Sequence, residues 1–453
     1  MPDIRRSHTT GTGESLELHG GTLIDGTGAP PLPGATVRIE DGRIAAVWRG
    51  EATPRALAPV ARVLDVTGKT VLPGLIDAHC HLSYGEGASA EEVDIYGGAE
   101  WAAVRAVWNA GKVLTAGVTS VCDPGSTWNV AVTVRDAIAN GMFEGPRVLA
   151  AGRHLVADGG FADYFPSWLG MPRSAEGVLC STPEEMLREV RQQVKNRVDV
   201  VKISGDSEAQ DDNHDVGPCF RDEEMRLIVS EAHRFGRKVT IHARYAPTVR
   251  AALAAGVDWI IHAAFLREDD VARLAEARMP VCPTFTLTAN IVEWGREAGA
   301  SPSYIDFKKR ELDGLVEAHQ RTHAAGVPLM AGSEAGFSVT PYGEWHTREL
   351  ELFVKLLGMS PMETIVSATR TNARALGWSD VGTVEPGMRA DLIVVDGDPL
   401  VDIGILGDRE RLVAVFKGGR SVDLSARPLP RRRMRHERGL RMTERTVYRD
   451  GMA

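Results

Sequence analysis

Two hydrophobic periods divide the chain. Near the N-terminus, LELHGGTLIDG, ATVRIEDGRIAAVWRG and ARVLDVTGKTVL alternate apolar and polar residues, with Gly and Asp as punctuation. Such alternation predicts short, half-buried strands separated by turns. VGTVEPGMRADLIVVDGDP and RLVAVFKGGRSV repeat the pattern near the C-terminus. Neither group is large enough to bury a sheet face alone. The two are expected to pair into one small β-domain built from both chain ends. Between them, short apolar runs alternate with longer stretches whose apolar positions recur at helical spacing. The runs are GLIDAHCHL, GVTSVCDP, RVLAAG, DVVKIS, KVTIHA, VDWIIHA, MPVCPTF and VPLMAGS; the helical stretches include EEMLREVRQQVKN, DEEMRLIVSEAHRFG and DDVARLAEAR. Eight strand–helix units of this kind predict a parallel α/β fold, a (β/α)8 barrel.

Strands buried on both faces read as apolar runs. Here His, Lys or Glu stands near the C-terminal end of the first, fourth, fifth, sixth and eighth runs, the end where a barrel of this type does its chemistry. In LIDAHCHL, His79 and His81 are two residues apart, so on a strand both imidazoles project to one side. Imidazole nitrogen is a ready ligand for a divalent cation, although two histidines held by core hydrogen bonds would give the same spacing. Lys202 lies inside the apolar run VVKIS. A buried lysine can lose its proton, and the neutral amine can take up CO2. The carbamate so formed offers two oxygens, enough to bridge ions about 3.5–4 Å apart. The alternative for Lys202 is an ion pair with an acid such as Asp206. His242 and His262 follow at successive strand ends.

The net charge of −9 gives no electrostatic reason to expect nucleic acid or an anionic membrane as partner. Composition, at 43% apolar and 25% charged, is that of an ordinary globular enzyme. The chain's end runs the other way: Arg431, Arg432, Arg433, Arg435, Arg438, Arg441 and Arg445 crowd together. This stretch reads as a solvated tail or an arm reaching a neighbouring subunit, with an anionic partner as the alternative. Cys80, Cys122, Cys180, Cys219 and Cys282 are odd in number, scattered and without CxxC spacing, so no disulfide framework is expected. The N-terminus, MPDIRRSHTTGTGESLELHGG, lacks the apolar core of a secretory signal. No stretch approaches the roughly 20 apolar residues that span a bilayer. A soluble cytoplasmic protein is the expectation.

VLPGLIDAHCHL resembles the first-strand signature of the amidohydrolase superfamily. The resemblance continues through AGVTSVCDPG, DVVKISG, FRDEEMRLIVSEAHRFGRKVTIHA, AAGVDWIIHAAF, HAAGVPLMAGSEAG, ELELFVKLLGMSPMETIVSATRTNARALG and VGTVEPGMRADLIVVDGDPL. These motifs are similar to the branch that holds imidazolonepropionases and Xaa-Pro dipeptidases. The resemblance implies an N-terminal part of a β-sandwich over 1–72, a (β/α)8 hydrolase barrel over 73–380 and the rest of the sandwich over 381–425, which leaves the Arg-rich tail over 426–453. It implies two divalent cations, zinc first, with cobalt, manganese or iron also accommodated. It assigns His79 and His81 to the more buried ion, makes Lys202 a carboxylated bridge, and gives His242 and His262 to the second ion. Glu334 is a departure, because relatives carry Asp where this chain reads AGSEAG. That Asp binds metal and shuttles the proton between attacking water and leaving amine. Glutamate has the same carboxylate on a longer arm. Glu334, Lys202 and His262 are thus the expected catalytic groups.

Loop residues should choose the substrate. Phe161, in DGGFADYF, stands where relatives have histidine, with Tyr164, Phe165 and Trp168 nearby. Arg244 and Tyr245 follow His242, and Trp345 and His346 follow the eighth strand. Phe161, Tyr164, Arg244, Tyr245 and His346 are the expected substrate contacts, loop packing being the alternative for each. Together they describe an aromatic pocket with one cation, suited to an aryl amide, urea, carbamate or apolar dipeptide. A xenobiotic aryl urea or carbamate fits as well as a dipeptide. A deaminase or cyclic amide hydrolase is the nearest rival, but such relatives commonly use one metal and lack the strand-four lysine. A non-catalytic scaffold would be expected to have lost its ligands. Family habit and the Arg-rich tail favour a homo-oligomer.

Overall fold

The alternating segments at the two chain ends join in one eight-stranded sheet in the computed structural model, which describes residues 15–50, 60–425, 442–443, 445–449 and 451–452. The strands are Leu16–Leu23, Leu32–Glu40, Arg43–Arg49, Arg62–Asp65 and Thr70–Pro73 from the N-terminal side, and Leu392–Val395, Leu412–Lys417 and Arg420–Ser421 from the C-terminal side. The chain ends meet where Thr70–Pro73 runs antiparallel to Leu392–Val395, with Leu392 opposite Pro73. The hairpin between Glu40 and Arg43 closes over Asp41 and Gly42, whose φ values of 49° and 75° make the Asp-Gly turn that matches strand twist. Inward residues, among them Leu18, Val37, Ile39, Leu392, Val394 and Phe416, share one apolar cluster.

The apolar runs between the ends form parallel strands. Leu75–Asp77, Val118–Asp123 and Arg147–Ala150 pair in one sheet. Val200–Ser204, Lys238–Tyr245, Trp259–Phe265 and Val281–Cys282 pair in a second. A parallel bridge from Ala151 to Val200 connects the two sheets. On the other side, Val281 bridges Leu329, and the Ala78 N–H donates to Ala331 O at 2.9 Å, returning to the first strand. This parallel α/β arrangement is consistent with the expected barrel. Alternate residues separate into two clusters. Val200, Ile261, Cys282 and Met330 pack with Ile76, Cys122 and Leu149, whereas Val201, Ile203, Ile241 and Ile260 pack toward the helices. Lys202 therefore shares the face of Val200.

Two details differ from expectation. The run 327–333 forms a single bridge rather than a ladder, because Pro328 has no N–H to donate. The chain after the third strand adds His154–Val156, which pairs in parallel with Gly177–Leu179. The helices Pro183–Lys195, Asp222–Arg234 and Glu268–Ala277 occupy the expected stretches. The first is closed by a capping box between Thr182 and Glu185. After the seventh strand come two helices, Phe285–Ala298 and Pro302–Ala324, separated by Gly299 in left-handed backbone and with Pro302 opening the second. All five cysteines are free. No helix among the described residues is long and apolar enough to cross a membrane. Arg431, Arg432, Arg433, Arg435, Arg438 and Arg441 lie outside the described residues; Arg445 is exposed.

Candidate active site

Asp77 ends the first parallel strand and organises the segments around it. Its Oδ1 accepts the N–H of His79 and of Ser333, each at 3.0 Å. Its Oδ2 accepts the Ser333 hydroxyl at 2.5 Å and His346 Nδ1–H at 2.7 Å. The Glu334 N–H then donates to His79 O at 2.6 Å. One buried carboxylate thus ties the His79 segment to the Glu334 segment.

The tautomers of His79 and His81 follow from their partners. His81 Nδ1 lies 2.7 Å from Gly125 O, and a carbonyl only accepts, so Nδ1 carries the proton. His79 Nδ1 lies 3.0 Å from Thr284 Oγ1. That hydroxyl donates to Cys282 O at 3.3 Å, so it accepts from His79. Each imidazole therefore turns an unprotonated Nε2 toward the other, 3.0 Å away. Two lone pairs at that distance repel unless a cation lies between them. A proton is a poor candidate, since burial lowers the His81 pKa to about 3 and pushes that of His79 far down.

Strand register brings the other groups alongside. Ser204 pairs with His242, and Ala243 with His262. The His242 and His262 rings are 4.4 Å apart, and His79 and His262 are 5.7 Å apart. Alternation alone would send His262 outward with Ile260. It turns inward because His262 and Ala263 take left-handed backbone, with φ of 77° and 55°. Glu334 does the same at 53°. Such backbone costs about 1–3 kcal/mol per residue and gathers at functional sites. Nε2 of His242 and of His262 is buried with no hydrogen-bond partner among the described residues. Asp206 Oδ2 comes within 3.3 Å of His242 Nε2 but out of line for a hydrogen bond.

Lys202 is buried and has no hydrogen-bond or ion-pair partner among the described residues; burial, opposed by the charge of Glu334, lowers its pKa to about 8. The ion pair with Asp206 that the sequence left open does not form, because Arg244 takes that carboxylate through its N–H at 2.8 Å and its Nε at 3.4 Å. Glu334 Oε1 lies 3.9 Å from His79 Nε2, and burial raises its pKa to about 8. Ligand atoms of His79, His262 and Glu334 lie within 4.8 Å of one another. Facing lone pairs, orphaned imidazole nitrogens and a buried carboxylate make a donor set that fits a divalent metal centre.

A cavity of about 650 Å³ opens above this set, with His242, His262 and Glu334 on its wall. Phe161, Tyr164 and Arg244 line it as expected. Phe161 stacks on His242 at 4.0 Å, and the Arg244 guanidinium sits 4.9 Å over the Phe161 ring. Tyr245 and His346 do not reach the cavity. The Tyr245 hydroxyl donates to Asp211 at 2.5 Å and its ring stacks on Phe265. Arg244 shares strand parity with His242; Tyr245 does not. His346 is held from both sides, by Asp77 on Nδ1 and by the Gly343 N–H, 3.0 Å from Nε2. The helix Pro302–Ala324 adds Tyr304, Phe307, Lys308 and Glu311 to the wall, none of them expected. Lys308 and Glu311, paired at 2.7 Å, are buried charges one helical turn apart. Two charges on the apolar stripe were the signal available.

A sequence profile of the amidohydrolase family matches residues 70–422. An ochratoxinase from Aspergillus niger is 27% identical over 434 residues, covering 89% of this chain and 85% of that enzyme. An imidazolonepropionase from Streptomyces griseus is 26% identical over 427 residues, covering 90% and 97%. The solved structure of a Xaa-Pro dipeptidase with bound methionine superposes with a TM-score of 0.80 at 27% identity, covering 90% of this chain and all of that one. The family typically uses a divalent metal centre, and the donor set described above is a candidate for it. With the profile spanning most of its length and the fold shared over 90% of it, the chain belongs to the amidohydrolase family and is a hydrolase of carbon–nitrogen bonds.

Proposed function

We propose that this chain hydrolyses an amide-type C–N bond in an aryl amide, urea, carbamate or dipeptide, at a centre of two divalent cations with Glu334 as proton shuttle. One observation carries the reading: the facing lone pairs of His79 and His81 lie beside the orphaned nitrogens of His242 and His262 and the carboxylate of Glu334. We read the ring of parallel contacts as a (β/α)8 barrel over 73–380, with the terminal sheet as its β-sandwich companion. His79 and His81 would hold one ion, His242 and His262 the other, with Lys202, as a carbamate, between them; zinc fits the nitrogen-rich set best. Bound there, the cations would supply an activated water near neutral pH and polarise the scissile carbonyl.

The chain's own groups do the rest. Glu334 takes the proton of the attacking water as the C–O bond forms, and returns it to the departing nitrogen as the C–N bond then breaks. Its carboxylate lies on the cavity wall, 3.9 Å from His79 Nε2, which supports that role. Phe161, Tyr164, Tyr304 and Phe307 offer faces to an aryl group, and Arg244 and Lys308 offer positive charge to an acyl or carboxylate oxygen. The test is a panel of aryl amides, ureas, carbamates and dipeptides assayed with metal-reconstituted protein and again after chelation. Turnover lost on chelation and restored by metal is expected, with close to two ions per chain and at least one lost in Lys202→Ala. Full metal content in Lys202→Ala would sink the bridge, and full activity in Glu334→Ala would place the base elsewhere.

A further inference from the structure

The chain does not finish at the terminal sheet. Residues 442–443 and 445–449 touch segments that follow three different parallel strands. The Met442 N–H donates to Ala88 O, beyond the first strand. The Arg445 N–H donates to Ala298 O at 2.9 Å, at the end of the helix that follows the seventh. The Val447 N–H donates to Ser338 O at 2.9 Å, beyond the eighth, where the Thr443 and Ser338 hydroxyls also bond. Neighbours of all three anchor points line the cavity: Ser89, Ser301 and Phe337. Met442 itself lines it, and the Tyr304 hydroxyl points to its Sδ at 3.5 Å.

Segments this close to a chain end usually fray unless tied down. This one has a latch. Val447 is 2% exposed and packs with Leu287 and Trp345, while the Trp345 indole N–H donates to Val447 O at 2.8 Å. Beyond it, Arg449 donates to Glu344 O at 2.7 Å and to Glu351 Oε1 at 2.8 Å, with its guanidinium 5.1 Å over the Trp345 ring. The anchor at Ser338 also adjoins the turn that carries the proposed shuttle, because the Thr340 hydroxyl donates to Glu334 O at 2.8 Å.

We infer that residues 442–443 and 445–449 belong to a strap across the cavity mouth, and that Met442 sets the size of the substrate group the cavity admits. An unbranched thioether gives a deformable wall rather than a fixed one. The activity part of this inference rests on the amide-hydrolase reading; the strap itself does not.

Two measurements on the 453-residue chain separate these. Hydrogen–deuterium exchange should show the amides of Met442, Arg445 and Val447 protected, and protection should be lost in Arg449→Ala. Free exchange at these amides in the unmodified protein would overturn the strap, whatever the activity. Protected amides in a protein that hydrolyses nothing in the panel would uphold the strap and remove the proposed substrate classes. Substrates graded in acyl size then test the side chain. Met442→Trp should shift the ratio of KM for the largest to the smallest substrate upward by about 10- to 100-fold, and Met442→Ala should shift it downward. Metal content and the ratio of kcat values should stay near those of the parent, which a merely structural role would not predict. A KM ratio unmoved in both variants would overturn the role of Met442.

Discussion

Asp77→Asn is the sharpest test of how the site is held. Asp77 is 4% exposed and its two oxygens accept four hydrogen bonds. Asparagine can keep one oxygen on the backbone N–H groups of His79 and Ser333. It then turns an NH2 group toward the Ser333 hydroxyl and His346 Nδ1–H. Ser333 can rotate to accept. His346 can accept only by moving its proton to Nε2, and that would break the bond from the Gly343 N–H, 3.0 Å away. At least one hydrogen bond to a charged acceptor, worth about 1.5–3 kcal/mol, is lost, and a buried donor left unpaired costs about 1–3 kcal/mol more. The expected destabilisation is about 3–5 kcal/mol, read from urea unfolding of the metal-free protein. Because the same carboxylate joins His79 to the Glu334 segment, metal content should fall as well. His346→Gln alone, combined with Asp77→Asn in a double-mutant cycle, isolates the shared contact. A loss under about 1 kcal/mol, or two effects that simply add, would refute this account of Asp77.

Three other outcomes are expected. In Gly332→Ala the new methyl would meet Cys282 Sγ at 2.5 Å, His79 Cβ at 2.7 Å and His79 N at 3.0 Å; overpacking costs about 1–3 kcal/mol. It should also displace His79, so metal analysis should find less than the parent's content with circular dichroism unchanged, and full content would contradict the packing. Lys417 is held by burial at a pKa of about 8 rather than 10.5, its Nζ donating to Gly145 O at 2.5 Å. The unfolded chain binds the extra proton between these values, so stability should rise with pH from about 8 to 10.5. Lys417→Met should flatten that rise and stabilise the protein by about 1–2 kcal/mol at pH 7, the lost bond to Gly145 being offset against the relieved desolvation; a steeper slope would reverse the assignment. Removing metal by dialysis against a strong chelator should lower the unfolding midpoint, and metal restored at about 100 times its Kd should return about 2.7 kcal/mol per ion. An unchanged midpoint would mean that the facing imidazoles hold no cation.

The parts of the site legible in the sequence are those set by local geometry. Lys202 inside VVKIS lies on the inward face that strand periodicity predicts, whereas His79 and His81, read as strand residues, follow the end of the strand at Asp77. The same periodicity separates Arg244 from Tyr245, since only Arg244 is in phase with His242. Parity is therefore enough to set Tyr245 aside as a substrate contact. His346 is out of reach of such reasoning. Its partner Asp77 is 269 positions away, and nothing local distinguishes a histidine that meets substrate from one that props a carboxylate. Lys308 and Glu311 lie on a long helix whose docking over the cavity depends on contacts with other elements.

By itself the sequence determined the alternation of short apolar strands with amphipathic helices, the pairing of the two chain ends, and which side chains stand at the strand ends. These follow from repeats of two and 3.6 residues, which are properties of neighbours in the chain. Tertiary structure alone decided which nitrogens were left without partners, which strand-end side chains turned inward, and what covered the cavity. The left-handed backbone at His262 and Glu334, the proton positions on His79 and His81, and the return of Met442, Arg445 and Val447 to the cavity side each depend on groups remote in sequence. Such contacts leave no period to read, because their energy belongs to the closed fold rather than to any one segment.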